Sequence, residues 1–248
     1  MNLKNLYHSF LLHLADSSLI IAQRNGECCA HGPILEQDIA ITNITLDLLG
    51  QSRNFYQYAA QRLNEANGSS ETEDTLAYHR GERDFKNFLL CELPNGDWAQ
   101  TITRQFLFSC FQQLLFEKLS KSNDEHLAAI ANKSLKEIQY HVKWSSEWVI
   151  RLGDGTEESH ERMKKAIDYL WPYTGEMFMP ATYDIINLED LKSIWLNKVE
   201  AVLQEATLSV PANTFMHSGG KSGVHTEHLG FLLAEMQYLQ RTYPGAEW

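Results

Sequence analysis

Residues 35–63 read LEQDIAITNITLDLLGQSRNFYQYAAQRL. No proline interrupts the run, and its one glycine is Gly50. Ile39, Leu46, Leu49 and Tyr56 share one side of a helix, while Ile41, Ile44, Leu48 and Phe55 lie on the others. A helix that is apolar all round is a buried one, so this stretch predicts a central helix and, through it, an all-α fold.

The flanking sequence extends the pattern. Leu6, Phe10, Leu14 and Ile21 recur at helical spacing in a first helix over residues 3–24, closed by Asn25-Gly26 and Gly32-Pro33. After a polar stretch, a short helical region spans 76–90, and Pro94-Asn95-Gly96-Asp97 makes a turn. Asp97 followed by Gln100 resembles a capping box opening a helix to about Ser120. Further helices are predicted from Asp124 to Leu152, from Thr156 to Pro172, from Asn187 to Leu208 and from Thr226 to Arg241, with 173–187 and 211–223 irregular. Four long helices with shorter accessories predict one helical bundle over residues 1–248.

Composition agrees. Leu occurs 32 times and Val six, with only 14 Gly and 6 Pro, a profile of helix formers with few turns. Acids outnumber bases 32 to 21, for a net charge of −11. That excludes the basic footprint of a nucleic-acid binder. It is also a poor field for a phosphate-rich ligand such as coenzyme A unless locally reversed. Lys4, His8, His13 and Asp16 interrupt the first segment, so neither a signal peptide nor a membrane span is expected there. Cys28, Cys29, Cys91 and Cys110 form no C-x-x-C pair, which fits a reduced, cytoplasmic protein.

A bundle of this size invites a search for a di-iron site, which takes a carboxylate from each of two helices and Glu-x-x-His from each of two others. The one literal match, Glu157-Glu158-Ser159-His160, lies in the first turn of a polar helix, where acids complement the helix dipole. Within the long helices, Asp47-Leu48-Leu49-Gly50 has glycine in the His place. Glu137-Ile138-Gln139-Tyr140 has tyrosine there, with His141 one residue late. Asp47, Gly50, Glu137 and Tyr140 thus read as vestigial ligand positions, so no metal or other cofactor is expected in this chain. The expected role of Asp47, Glu137 and His141 is a buried polar network neutralised by Arg53, Lys136 or Lys143. The alternative is a degenerate di-iron oxygenase or iron oxidase active on its own through those three residues.

Other motifs carry less. Gly220-Lys221-Ser222 imitates the end of a P-loop, but the loop's first glycine would fall at Phe215 and no strand precedes it. Cys28-Cys29-Ala30-His31 lacks a second pair of metal ligands. No G-x-S-x-G supports hydrolase chemistry. Lys221, His225, Glu227 and His228 crowd polar groups into one short stretch and are candidate interface or loop-ordering residues. A metal on His225 and His228 has no further ligand nearby.

Residues 46–55, the turn at 94–97, and above all Gly219-Gly220-Lys221-Ser222-Gly223-Val224-His225-Thr226-Glu227-His228-Leu229-Gly230, continuing through 235–241, resemble a known family. They are similar to the C subunits of bacterial phenylacetyl-CoA epoxidases, the ring-activating monooxygenases of aerobic phenylacetate degradation. The resemblance runs nearly end to end. It implies a ferritin-like four-helix bundle with additional helices and a structural, non-catalytic role. It further implies pairing with a related catalytic A subunit, which holds the di-iron centre and uses dioxygen. Electrons would come from an NADPH-dependent reductase that this chain meets indirectly. The absent histidines at Gly50 and Tyr140 agree with that implication.

Overall fold

A computed structural model describes residues 3–212 and 214–246. Among them there is no strand; the chain forms ten α-helices with short 3₁₀ turns between them. Helix α1 (Leu3–Gly26) and α2 (Leu35–Asn67) pack together as one hairpin. After α3 (Glu73–Tyr78) and the single turn α4 (Leu89–Glu92), α5 (Trp98–Leu119) and α6 (Glu125–Gly153) form the second. The two hairpins make the four-helix bundle of a ferritin-like fold. Helices α7 (Glu157–Leu170) and α8 (Glu189–Glu205) pack on α5 and α6, and the chain closes with α9 (Glu227–Met236) and α10 (Tyr238–Thr242).

Local chemistry sets most helix starts. The Asp97 carboxylate accepts from the Gln100 N–H at 3.0 Å, Asp124 from Leu127 at 3.0 Å, and the Thr156 hydroxyl from Ser159 at 3.2 Å. Each supplies an acceptor to an N–H that the first turn leaves free. Asn187 and Asp190 join side chains at 2.9 Å, and the helix opens two residues after Asn187.

Three expectations are corrected. The central helix is α5, not α2. Helices α6, α7 and α8 surround α5, burying Ile102, Phe106, Phe108, Phe111 and Phe116, and Trp195 of α8 donates to the Leu107 carbonyl at 3.0 Å. Helix α2 buries Ile41, Ile44, Leu48 and Phe55 but leaves Leu35 70% and Leu46 60% exposed, with Ile39 and Leu49 beside them. Apolar periodicity marks surface that needs cover; it does not say which element supplies it.

The helical region expected over 76–90 breaks instead into α3, a 3₁₀ turn at Glu82–Asp84, and α4. Its backbone donors are taken by distant carboxylates: Lys86 N–H binds Asp16 at 2.8 Å and Leu89 N–H binds Glu176 at 2.8 Å. The last helix is interrupted at Gln237, whose buried amide donates to the carbonyls of Ala77 and Arg80, both at 3.1 Å. No helix among the described residues is long and apolar enough to cross a membrane.

Candidate functional site

Each helix of the bundle sends a polar side chain to its interior: Ser18 from α1, Gln51 from α2, Gln112 from α5 and Glu137 from α6. Gln112 Nε2 donates to Gln51 Oε1 at 3.0 Å and reaches Ser18 Oγ at 3.5 Å, while Gln51 Nε2 donates to Glu137 Oε2 at 2.9 Å. Toward the N-terminal end of α5, Asn25 donates to Gln105 at 2.6 Å, Gln105 to Ser109 at 2.7 Å, and the buried Arg104 to Asn25 at 3.3 Å. The bundle centre is therefore built mainly from neutral amides and hydroxyls. Glu137 is its carboxylate, and burial, with the charge of Asp47 adding to it, holds that carboxyl above the usual range against the Gln51 hydrogen bond.

One turn along, the fully buried His141 meets Asp47 Oδ2 through Nε2 at 3.0 Å, and its Nδ1 has no partner. The structure thus brings Asp47 to His141 and Glu137 to Gln51. The neutralising partners expected from sequence lie elsewhere: Arg53 pairs with Glu73 at 3.3 Å, Lys143 stands 4.0 Å from Glu147, and Lys136 is exposed. All three sit on outward turns of their helices. Gly50 and Tyr140 also face outward. A Cβ on Gly50 would meet nothing within 4 Å, and Tyr140 is 46% exposed. The i+3 step from a half-exposed residue turns away from the axis; the inward position of α2 is Gln51.

A di-iron centre requires several carboxylates and two histidines around one cavity. The donor set here does not fit: among the described residues, no three His, Cys, Asp or Glu side chains converge enough to hold a metal ion.

A second polar centre lies under the C-terminal tail. Glu92 and His225, both fully buried, meet at 2.9 Å. Glu92 also accepts from Asn87 Nδ2 at 2.9 Å and from the Thr226 N–H at 2.6 Å, and the other nitrogen of His225 reaches the Phe85 carbonyl at 3.0 Å. Burial alone would lower His225, but the Glu92 hydrogen bond and charge outweigh it and raise its pKa. Glu176 accepts from the backbone of Leu89, Gly219 and Lys221 at 2.8, 2.7 and 3.4 Å, and burial keeps its carboxyl raised against those bonds. Lys221 Nζ donates to Asp184 and to the Met179 carbonyl, both at 2.8 Å, and burial lowers its pKa despite Asp184.

Tight backbone approach explains the glycines of this stretch. A Cβ on Gly220 would come within 2.2 Å of the Asn87 carbonyl oxygen. Gly223, at φ +80°, would meet the Arg83 carbonyl at 2.2 Å. Of the four residues singled out in the sequence, Lys221 and His225 point inward: His225 binds the tail to the segment 85–92 and Lys221 binds it to Met179 and Asp184. Glu227 is exposed and His228 half-buried at the start of α9. Their partners Glu92, Glu176 and Asp184 escaped the sequence reading, as did the buried Asp16 with Arg80 and Tyr56. The available signal was a lone acid in an apolar run: Glu92 follows Leu89-Leu90-Cys91, and Glu176 precedes Met177-Phe178.

The whole of this architecture, from α1 to the tail, falls within one family. Residues 3–248 match the family model described as phenylacetic acid catabolic protein. The chain belongs to that family. It is 46% identical to the C subunit of the 1,2-phenylacetyl-CoA epoxidase of Escherichia coli (strain K12), over 252 aligned residues covering 98% of this chain and 100% of the relative. In this member of the phenylacetic acid catabolic family, the segment carrying the likeness at 219–230 is the one locked down by Glu92 and Glu176.

Proposed function

We propose that this chain is the C-type subunit of a phenylacetyl-CoA epoxidase acting in aerobic phenylacetate degradation. On this reading it has no catalysis of its own and no cofactor. It pairs with a catalytic A subunit, which carries the di-iron centre, and keeps that subunit folded; the reductase and other subunits are reached through the assembly. The protein works in the cytoplasm.

The observation that carries the proposal is the end-to-end identity with a protein named as the C subunit of such an epoxidase. The bundle interior supports the non-catalytic part. Where a di-iron protein of this fold needs ligands, this one places Gln51, Gln112 and Ser18, bonded to one another and to Glu137. The uncovered stripe of Leu35, Ile39, Leu46 and Leu49 supports pairing, since obligate subunit interfaces are apolar and commonly bury about 2,000 Å² or more.

Two measurements test it. Iron content of the chain purified alone from iron-supplemented medium is expected near zero; stoichiometric iron would reinstate the enzyme reading with Asp47, Glu137 and His141 as ligands. Co-expressed with the A subunit, the chain is expected to co-elute with it, and the A subunit alone to lose solubility or activity. Full activity of the A subunit without this chain would overturn the stabilising role.

A further inference from the structure

Mid-helix glycines need a reason, and the fold of this chain supplies none for Gly50. Relative to alanine, a glycine inside a helix weakens the folded state roughly fivefold. It is retained where a positive φ or a tight contact demands it. Gly153 of α6 is such a case, since a Cβ there would come within 2.5 Å of the Ala206 carbonyl oxygen. Gly50 lies in the middle of α2, needs no left-handed φ, and would have open space around a Cβ. It is exposed, and Leu35, Ile39, Leu46 and Leu49, exposed as well, share with it about 100° of arc around the helix axis. Close approach of a backbone from outside the chain is the use of a glycine that remains.

Contacts with α6 fix which side of α2 faces outward. Gln37 accepts from the indoles of Trp148 and Trp144 at 2.7 and 3.0 Å, Asp47 meets His141, Gln51 donates to Glu137, and Tyr58 stacks on His126. The two helices thus run antiparallel and side by side for about 32 Å, the length of residues 37–58. Together they present a face about 20 Å wide, or roughly 650 Å². That approaches the ~800 Å² that each partner gives to a stable interface, whereas α2 alone offers about half of it. Tyr140 adds exposed apolar surface from the α6 side. Area therefore selects a folded helical face as the occupant over a single docked helix.

We propose that the α2–α6 face receives the helical bundle of the catalytic A subunit, with an apolar helix of that subunit crossing α2 at Gly50 and packing on Leu46 and Leu49. Helix axes approach most closely, to about 8 Å, where the side chains at the crossing are small. A side chain at position 50 keeps the fold and holds the second helix off. This assignment rests on the pairing proposed above and adds to it the face and the role of Gly50.

Competition inside one cell tests it. A tagged A subunit is co-expressed with the parent chain and a variant, and mass spectrometry compares the variant-to-parent ratio in the captured complex with that in the lysate. Gly50→Gln and Leu46→Gln are each expected to be captured at least about tenfold less than the parent. Phe231→Gln, at an exposed position of α9 away from this face, is expected to compete equally. Urea unfolding of the isolated chains separates docking from folding: Gly50→Gln should unfold at a higher midpoint than the parent, because glutamine is the better helix former. Capture of both α2 variants at the parent level, or equal weakening by Phe231→Gln, would overturn the assignment of the face. Parent-level capture of Gly50→Gln alone, or a lowered urea midpoint for it, would overturn the crossing at Gly50. Failure of the parent itself to be captured would overturn the pairing, and this assignment with it.

Discussion

The two polar centres of this molecule are built on opposite principles. Under the tail, charge is buried outright: Glu92 with His225, Lys221 with Asp184, and Glu176 among three backbone N–H groups. In the bundle, amides and hydroxyls hold one another, and the carboxylate of Glu137 keeps partial access to solvent. Irregular backbone explains the difference. The tail and the segment 85–92 have N–H groups that no helix satisfies, and a carboxylate with two oxygens can serve several at once. Helices have no such need, and a neutral pair avoids the desolvation of an ion.

Removing one member of a buried ionic group should therefore do the most damage. Glu92→Ala leaves His225, Asn87 and the Thr226 N–H without their acceptor, and a loss of about 3–5 kcal/mol is expected in urea unfolding. A loss below about 1 kcal/mol would show that the clamp adds little and would erase the contrast between the two centres.

The pH dependence sharpens the contrast further. His225 has its folded pKa raised, so the stability it contributes is fully present below the ordinary histidine value of about 6.5. That stability is lost as pH rises through the folded value. Parent protein should therefore lose stability from neutral to mildly alkaline pH. Each tenfold gain in proton affinity on folding is worth about 1.4 kcal/mol, and His225→Gln should flatten the curve. The same slope in both proteins would assign the effect to another group.

The smallest effect is expected in the bundle. Gln51→Leu with Gln112→Leu replaces both partners of a neutral hydrogen bond, a change that falls within about 1 kcal/mol, because Glu137 can turn to water. A much larger loss would mean that the amide network, rather than apolar packing, sets the geometry of the bundle.

The helix starts at Asp97, Asp124 and Thr156 were legible in the sequence because capping involves groups three residues apart. The break at 76–90 was not, since Asp16 and Glu176 act on it from 70 and 87 residues away. The site shows the same division. Asp47, Glu137 and His141 stood out by residue type, but the turn that sends Gln51 inward and Gly50 outward depends on how α2 rolls against α1. Lys221 and His225 were conspicuous as a cluster, while their partners lay hidden as single acids in apolar runs.

The sequence by itself determined that the chain is all helical, where its long helices begin, and which family it resembles. Those properties follow from composition, near-neighbour chemistry and motif. Only the tertiary structure decided that α5 rather than α2 is central and that the tail closes over Glu92 and Glu176. Burial and long-range pairing are properties of which surfaces meet, and an apolar stripe or a lone carboxylate does not carry the address of its partner.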